Sequence, residues 1–241
     1  MHKLRLKFSK NGPIKFIGHL DVMRYFQKAI RRAELDIKYS EGFSPHQVIS
    51  FAQPLSVGAT SDGEYMDMTL NSMISTEDVK NKLNEVMNEG IEILAVTELG
   101  EKDDKAMTLA YAAKYTIKFR ESLKPDFDWI SEFKKYLDND TLPAMKKTKS
   151  GEKEIDMKPM IFDYSFDEEN ESVTLLLSMS SLATLKPALL FGGFMKSKGI
   201  ELNNNALDIH RIDIYKLCDG DKPYIEPFIT DDITTRFYLN V

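Results

Sequence analysis

The chain has 241 residues, above the usual single-domain size of roughly 100 to 150, so two compact domains are expected. Hydrophobic residues at 42% and charged ones at 29% are ordinary globular values, and no run approaches the roughly 18 to 20 apolar residues that cross a bilayer. The net charge of −6 hides an asymmetry: residues 1–50 hold ten Lys or Arg against four Asp or Glu, so this stretch is +6 and the remainder −12.

Lys3, Arg5 and Lys7 alternate with Leu4, Leu6 and Phe8, the period of a half-buried strand with one cationic face. Asn11-Gly12-Pro13 marks a turn, and Ile14–Ile17 reads as a short extended stretch. From Leu20 to Ala33 a helix is predicted, with Val22, Phe26, Ala29 and Ala33 on one stripe and Arg24, Lys28 and Arg31 on another. Asp21 in its first turn suits the helix dipole. Strands over Val48–Phe51 and Glu64–Leu70 are followed by a helix from Ser75, with Asp78 completing its capping box and Gly90 ending it. Ile91–Leu99 is a closing strand, and the polar run Gly100–Lys105 is the expected domain boundary.

The order β-α-β-β-α-β is that of a ferredoxin-like domain. It recurs as a strand at Lys114–Phe119, a helix at Asp128–Leu137, strands near Glu154–Phe166 and Val173–Ser178, a helix at Pro187–Lys198 and a strand at Arg211–Leu217. The expected architecture is therefore α+β, two tandem ferredoxin-like domains with antiparallel sheets and helices on one face. They span residues 1–100 and 106–241, the second with a tail docked through Tyr224, Phe228, Phe237 and Tyr238.

Cys218 is the sole cysteine, so no internal disulfide or Cys-rich cluster motif exists, and His2, His19, His46 and His210 lack metal-ligand spacing. Neither a metal nor another cofactor is expected. The start MHKLRLKFSK is basic and alternating rather than signal-like, so the expected compartment is the cytoplasm, with no membrane association.

The densest polar constellation is Gly18-His19-Leu20-Asp21-x-x-Arg24 with Tyr39-Ser40-Glu41-Gly42-Phe43-Ser44-Pro45-His46. Glycines and a proline among hydroxyls and imidazoles form a shaped loop whose backbone amides can face an anion, although Gly42 and Pro45 equally serve a simple turn. These runs, with Phe8-Ser9-Lys10-x-Gly12-Pro13, Arg31-Arg32-Ala33, Phe51-Ala52-x-Pro54-Leu55-x-x-Gly58, Lys149-x-Gly151, Asp156-Met157-Lys158-Pro159 and Leu185-Lys186-Pro187, resemble the radical-SAM-linked protein family of uncharacterised function. Gly18, Lys28 and Asp36 depart from residues common there. The resemblance implies a genomic or covalent link to a radical SAM enzyme, often one with a cobalamin-binding region. That partner would supply the cluster, which the single cysteine of this chain cannot hold.

Many radical SAM enzymes modify RNA, so the expected role is a non-catalytic, RNA-binding companion in RNA modification. Arg24, Lys28, Arg31 and Arg32 would contact phosphates, Lys3, Arg5 and Lys7 would extend that surface or face the partner, and His19, Asp21, Tyr39, Ser40, Gly42, Phe43, Ser44 and His46 would shape the contact. Lys146, Lys147, Lys149 and Lys153 form a second basic cluster, or a charged hairpin around Ser150-Gly151. Two alternatives stand: a metal-independent endoribonuclease using His19 and His46 as general acid and base, and a pure protein adaptor of the radical SAM enzyme.

Overall fold

In the computed structural model, which describes residues 1–148, 151–180, 183–230 and 233–239, the alternating N-terminal segment forms β1 (His2–Lys10). Gly12–Phe16 is a 3-10 turn rather than the extended stretch expected there, because Pro13 fixes a φ suited to the first position of a turn. Next come α1 (His19–Arg32), β2 (Ile49–Phe51), β3 (Thr60–Leu70), α2 (Thr76–Val86), β4 (Ile91–Leu99) and the single turn α3 (Ala106–Leu109). Strands β4, β1 and β3 lie side by side and antiparallel, with β2 on β3. Leu4, Leu6 and Phe8 of β1 meet Val22, Phe26 and Ile30 of α1 and Val79 and Leu83 of α2 in one core. Phe8 and Phe26 pack edge to face at 4.8 Å. The Ser75 hydroxyl caps α2 by accepting from the Asp78 amide.

The chain continues through β5 (Ala110–Phe119), α4 (Trp129–Leu137), the hairpin β6 (Pro143–Thr148) and β7 (Gly151–Asp156), β8 (Ile161–Asp167), β9 (Ser172–Ser178) and α5 (Pro187–Ser197). β9 lies between β5 and β8, antiparallel to both. The strand expected over 154–166 is split by a 3-10 turn at Lys158–Met160, where Pro159 has no amide to give a ladder. Trp129, Phe133, Phe191 and Phe194 fill the core, with Phe133 stacked on Phe191 at 4.7 Å.

The last elements are β10 (Leu207–Cys218), β11 (Tyr224–Pro227) and β12 (Phe237–Tyr238). The molecule is a mixed α+β protein whose described strand pairs are antiparallel. It divides into two compact units, Met1–Ala110 with Arg211–Val241, and Tyr111–His210.

These units differ in extent from the expected domains of 1–100 and 106–241. The polar run at 100–105 belongs to the first unit: Arg5 Nη2 donates to the Asp104 carbonyl at 2.7 Å, and the Ala106 amide donates to Asp67 at 2.7 Å. The C-terminal segment returns to the same unit. Gly63 accounts for how closely it approaches: a Cβ there would lie 2.5 Å from the Asp213 Cα, so only glycine lets β10 lie against β3. The tail packs here too, with Phe228 4.8 Å from the Tyr65 ring and 5.1 Å from the Arg5 guanidinium.

Candidate nucleic-acid interface

Arg5, Lys7 and Lys10 of β1 are turned inward. Arg5 is 4% exposed and makes a two-point pair with Asp67 at 2.8 and 3.0 Å. Lys7 donates to Asp213 at 2.6 Å, and the same carboxylate accepts from the Tyr65 hydroxyl at 2.6 Å. Burial raises the Asp213 pKa against the pull of Lys7, and burial with the Asp213 charge raises that of Tyr65 well above its ordinary value. Lys3 of the same strand is exposed, and it donates to the Glu101 carbonyl.

Lys10 is also buried, with its ammonium on the carbonyls of Lys15 and Ile17, which fixes the turn leading into α1. Burial lowers its pKa, opposed by Glu64. Glu64 accepts from Arg211 Nη1 at 2.8 and 3.0 Å, and burial raises its pKa against that cation. A small cavity of about 20 Å³ touches this group and is lined by His19, Lys10, Phe51 and Glu64. The His19 ring packs edge-on to Phe51 at 5.4 Å.

The cations of α1 face the other way. Arg24, Lys28, Arg31 and Arg32 are all exposed. Arg24 lies 3.4 Å from Asp21, with both side chains more than half exposed, a pair of small energetic consequence. Arg32 donates to the Val86 carbonyl at 2.9 Å, which fixes its stem against the end of α2.

Beside this helix the 39–46 loop closes on itself. Tyr39 bridges Gln47, the Ser40 amide donates to the His46 carbonyl at 2.8 Å, and the Ser40 hydroxyl lies 2.9 Å from His46 Nδ1 and accepts from the His46 amide. Gly42 sits at φ +107, a conformation side chains disfavour. Buried Gln47 donates to the Gln27 carbonyl at 3.2 Å, tying the loop's end to the middle of α1. At the loop's tip the Phe43 side chain is fully exposed, and Tyr39 is 45% exposed. Ser44 is exposed as well.

The structure thus brings together Arg24, Lys28, Arg31 and Arg32 on one helix, and Tyr39, Ser40, Gly42, Phe43, Ser44 and His46 on one adjoining loop. It does not bring His19 and His46 into one cavity: His46 lines a different one, with Val48 and Leu99. In the second unit, Lys146 donates to the Thr184 carbonyl at 2.8 Å and stands opposite the exposed Lys153 across the β6–β7 hairpin. Lys149 and the Lys147 side chain lie outside the described residues. Among the described residues no group of three His, Cys, Asp or Glu could hold a metal ion, and no helix is long and apolar enough to cross a membrane.

Sequence reasoning missed the internal set Lys10, Glu64, Tyr65, Arg211 and Asp213. A signal was present, because charges within the otherwise apolar strand patterns at 64–70 and 211–217 call for opposite charges across the sheet.

Fold and surface together define an α+β protein with a basic helix and an aromatic-tipped loop on one unit. The chain belongs to a family described as an uncharacterized protein conserved in bacteria (DUF2344), which it matches over residues 3–187. No curated protein matches it.

Proposed function

We propose that this protein binds single-stranded RNA through α1 and the 39–46 loop, and presents it to a radical SAM enzyme that carries out the modification. The observation that carries this reading is the pairing of four exposed helix cations with a fully solvated phenylalanine on a loop fastened to the same helix. Cations spaced along a helix can follow successive phosphates, and exposed aromatic rings take up the faces of unstacked bases. Phe43 contributes nothing to a core, and the loop that carries it is held by its own hydrogen bonds. The radical SAM partner rests on the motif resemblance, and the reading sets both proteins in the cytoplasm. We also read each unit as a ferredoxin-like βαββαβ module, a reading supported in the first by strand order β4-β1-β3 with β2 on β3.

Fluorescence anisotropy with a ten-nucleotide uridine RNA tests the binding surface. Phe43→Ala should weaken affinity about tenfold, the scale of one lost base stack. Unchanged affinity would remove the loop from the interface. If the parent binds no RNA and charge reversal on α1 instead breaks its complex with the radical SAM enzyme, the helix is a protein-docking face.

A further inference from the structure

Behind the 39–46 loop the first unit holds a cavity of about 480 Å³, within the size range of small-ligand pockets, about 300–1,000 Å³. Val48, Ile49 and Leu99 give it apolar walls, and His46, the carboxylates of Asp67, Asp103 and Asp104, and two lysines, Lys3 and Lys105, stand around them. Part of its polar rim is held in place. Ser40 fixes His46 through Nδ1 at 2.9 Å, Asp103 accepts from the Gly100 amide at 2.7 Å, and the Asp104 backbone is anchored by Arg5, itself locked on Asp67.

Asp67 is taken up by Arg5 and the Ala106 amide, and the remaining carboxylates, Asp103 and Asp104, are acceptors suited to N–H groups on the edge of a flat ring. Guanine alone among the RNA bases presents two adjacent N–H donors, N1–H and the N2 amino group, which one carboxylate can accept together. Adenine and cytosine set an acceptor nitrogen beside their amino group, and uracil flanks its single N–H with carbonyls; each would turn a lone pair toward a carboxylate oxygen.

We infer that this cavity receives an unstacked guanine of the bound RNA, with the Asp104 carboxylate reading its donor edge and His46 beside it. The inference rests on the RNA-binding reading and adds base preference to it.

The test has two arms. Full-length ¹⁵N-labelled protein is titrated with GMP, AMP, CMP and UMP, and anisotropy is measured with uridine ten-mers with and without one central guanine. GMP should shift the Val48, Ile49 and Asp104 amides saturably, at least about tenfold more tightly than the other three, and the central guanine should strengthen binding about tenfold. Asp104→Asn should abolish both preferences, leaving all-uridine binding and the rest of the amide spectrum unchanged. Reversing Arg24, Arg31 and Arg32 to glutamate should leave the GMP shifts in place. Equal responses to all four nucleotides, or none at the cavity, would overturn the guanine pocket. If oligomers bind with salt dependence but ignore guanine, the pocket fails and RNA binding stands. If GMP fills the cavity but no oligomer binds, the RNA reading fails and the pocket stands.

Discussion

Strand β1 and helix α1 are neighbours in sequence, both rich in Lys and Arg, yet their charges go to opposite uses. Arg5, Lys7 and Lys10 sit in or against the interior, each with a carboxylate or carbonyl partner. Arg24, Lys28, Arg31 and Arg32 stand in solvent. Cations and acids concentrated in one sequence do not measure a binding surface; burial decides which of them water and ligands can reach. The +6 of the first fifty residues is therefore divided. Part holds the returning C-terminal strand to the first unit, and part is presented outward.

The largest expected effect of breaking the inward set comes from Glu64→Ala. It leaves Arg211 without its carboxylate partner in the interior, and should cost about 3–5 kcal/mol in denaturant unfolding. A loss below about 1 kcal/mol would mean the pair is not buried as described. Next is Gly63→Ala, which drives a methyl into the β10 backbone. It should cost about 1–3 kcal/mol, and native-state hydrogen exchange should show the loosening concentrated at residues 211–218.

A pH effect follows in size. Burial raises the Asp213 pKa above the ordinary carboxylate value. Between the two values the native state holds a proton that the unfolded chain has released, so this group's contribution falls as pH rises through that window and recovers as pH drops toward the ordinary range. Glu64 acts with the same sign. Asp36, Asp128 and Asp156 have lowered values, so they lose stability only further down, below the ordinary range. Unfolding free energy should thus rise as pH falls toward the ordinary carboxylate range, and Asp213→Asn should flatten that rise. A steeper rise in the variant would contradict the assignment.

The smallest effect lies on the outward side. Glu34 follows the end of α1 at φ +50, a left-handed position where glycine is favoured. Glu34→Gly should stabilise by about 0.5 kcal/mol in thermal or denaturant unfolding. Destabilisation would show that Glu34 has a role its geometry does not reveal.

Much of the first unit was legible because its elements are local. The alternation of Leu4, Leu6 and Phe8, the stripe of Val22, Phe26 and Ala29, and the Ser75–Asp78 cap each declare an element within a few residues. The α1 face and the 39–46 loop were legible for the same reason. Period-two alternation, however, cannot say whether the polar face of a strand meets water or protein. Arg5, Lys7 and Arg211 find their partners 62, 206 and 147 residues away, and nothing local announces such pairs. The return of β10 was hidden likewise, since Gly63 reads as an ordinary strand glycine until Asp213 lies against it. β6 was legible only as one arm of the charged hairpin expected around Ser150-Gly151, because a strand opening on Pro143 and carrying Lys146 and Lys147 shows no apolar alternation.

The division of charge is tested most directly by the salt dependence of RNA affinity, measured for the parent and for the variant with Arg24, Arg31 and Arg32 reversed to glutamate. Stability should stay within about 0.5 kcal/mol per site. The parent's log affinity should fall linearly with log salt, by about 0.7 per phosphate contact on single strands. In the variant that slope should flatten by about 2 as three contacts are lost. A parent with no salt-dependent binding, or a variant with the parent's slope, would contradict the assignment of α1 to RNA.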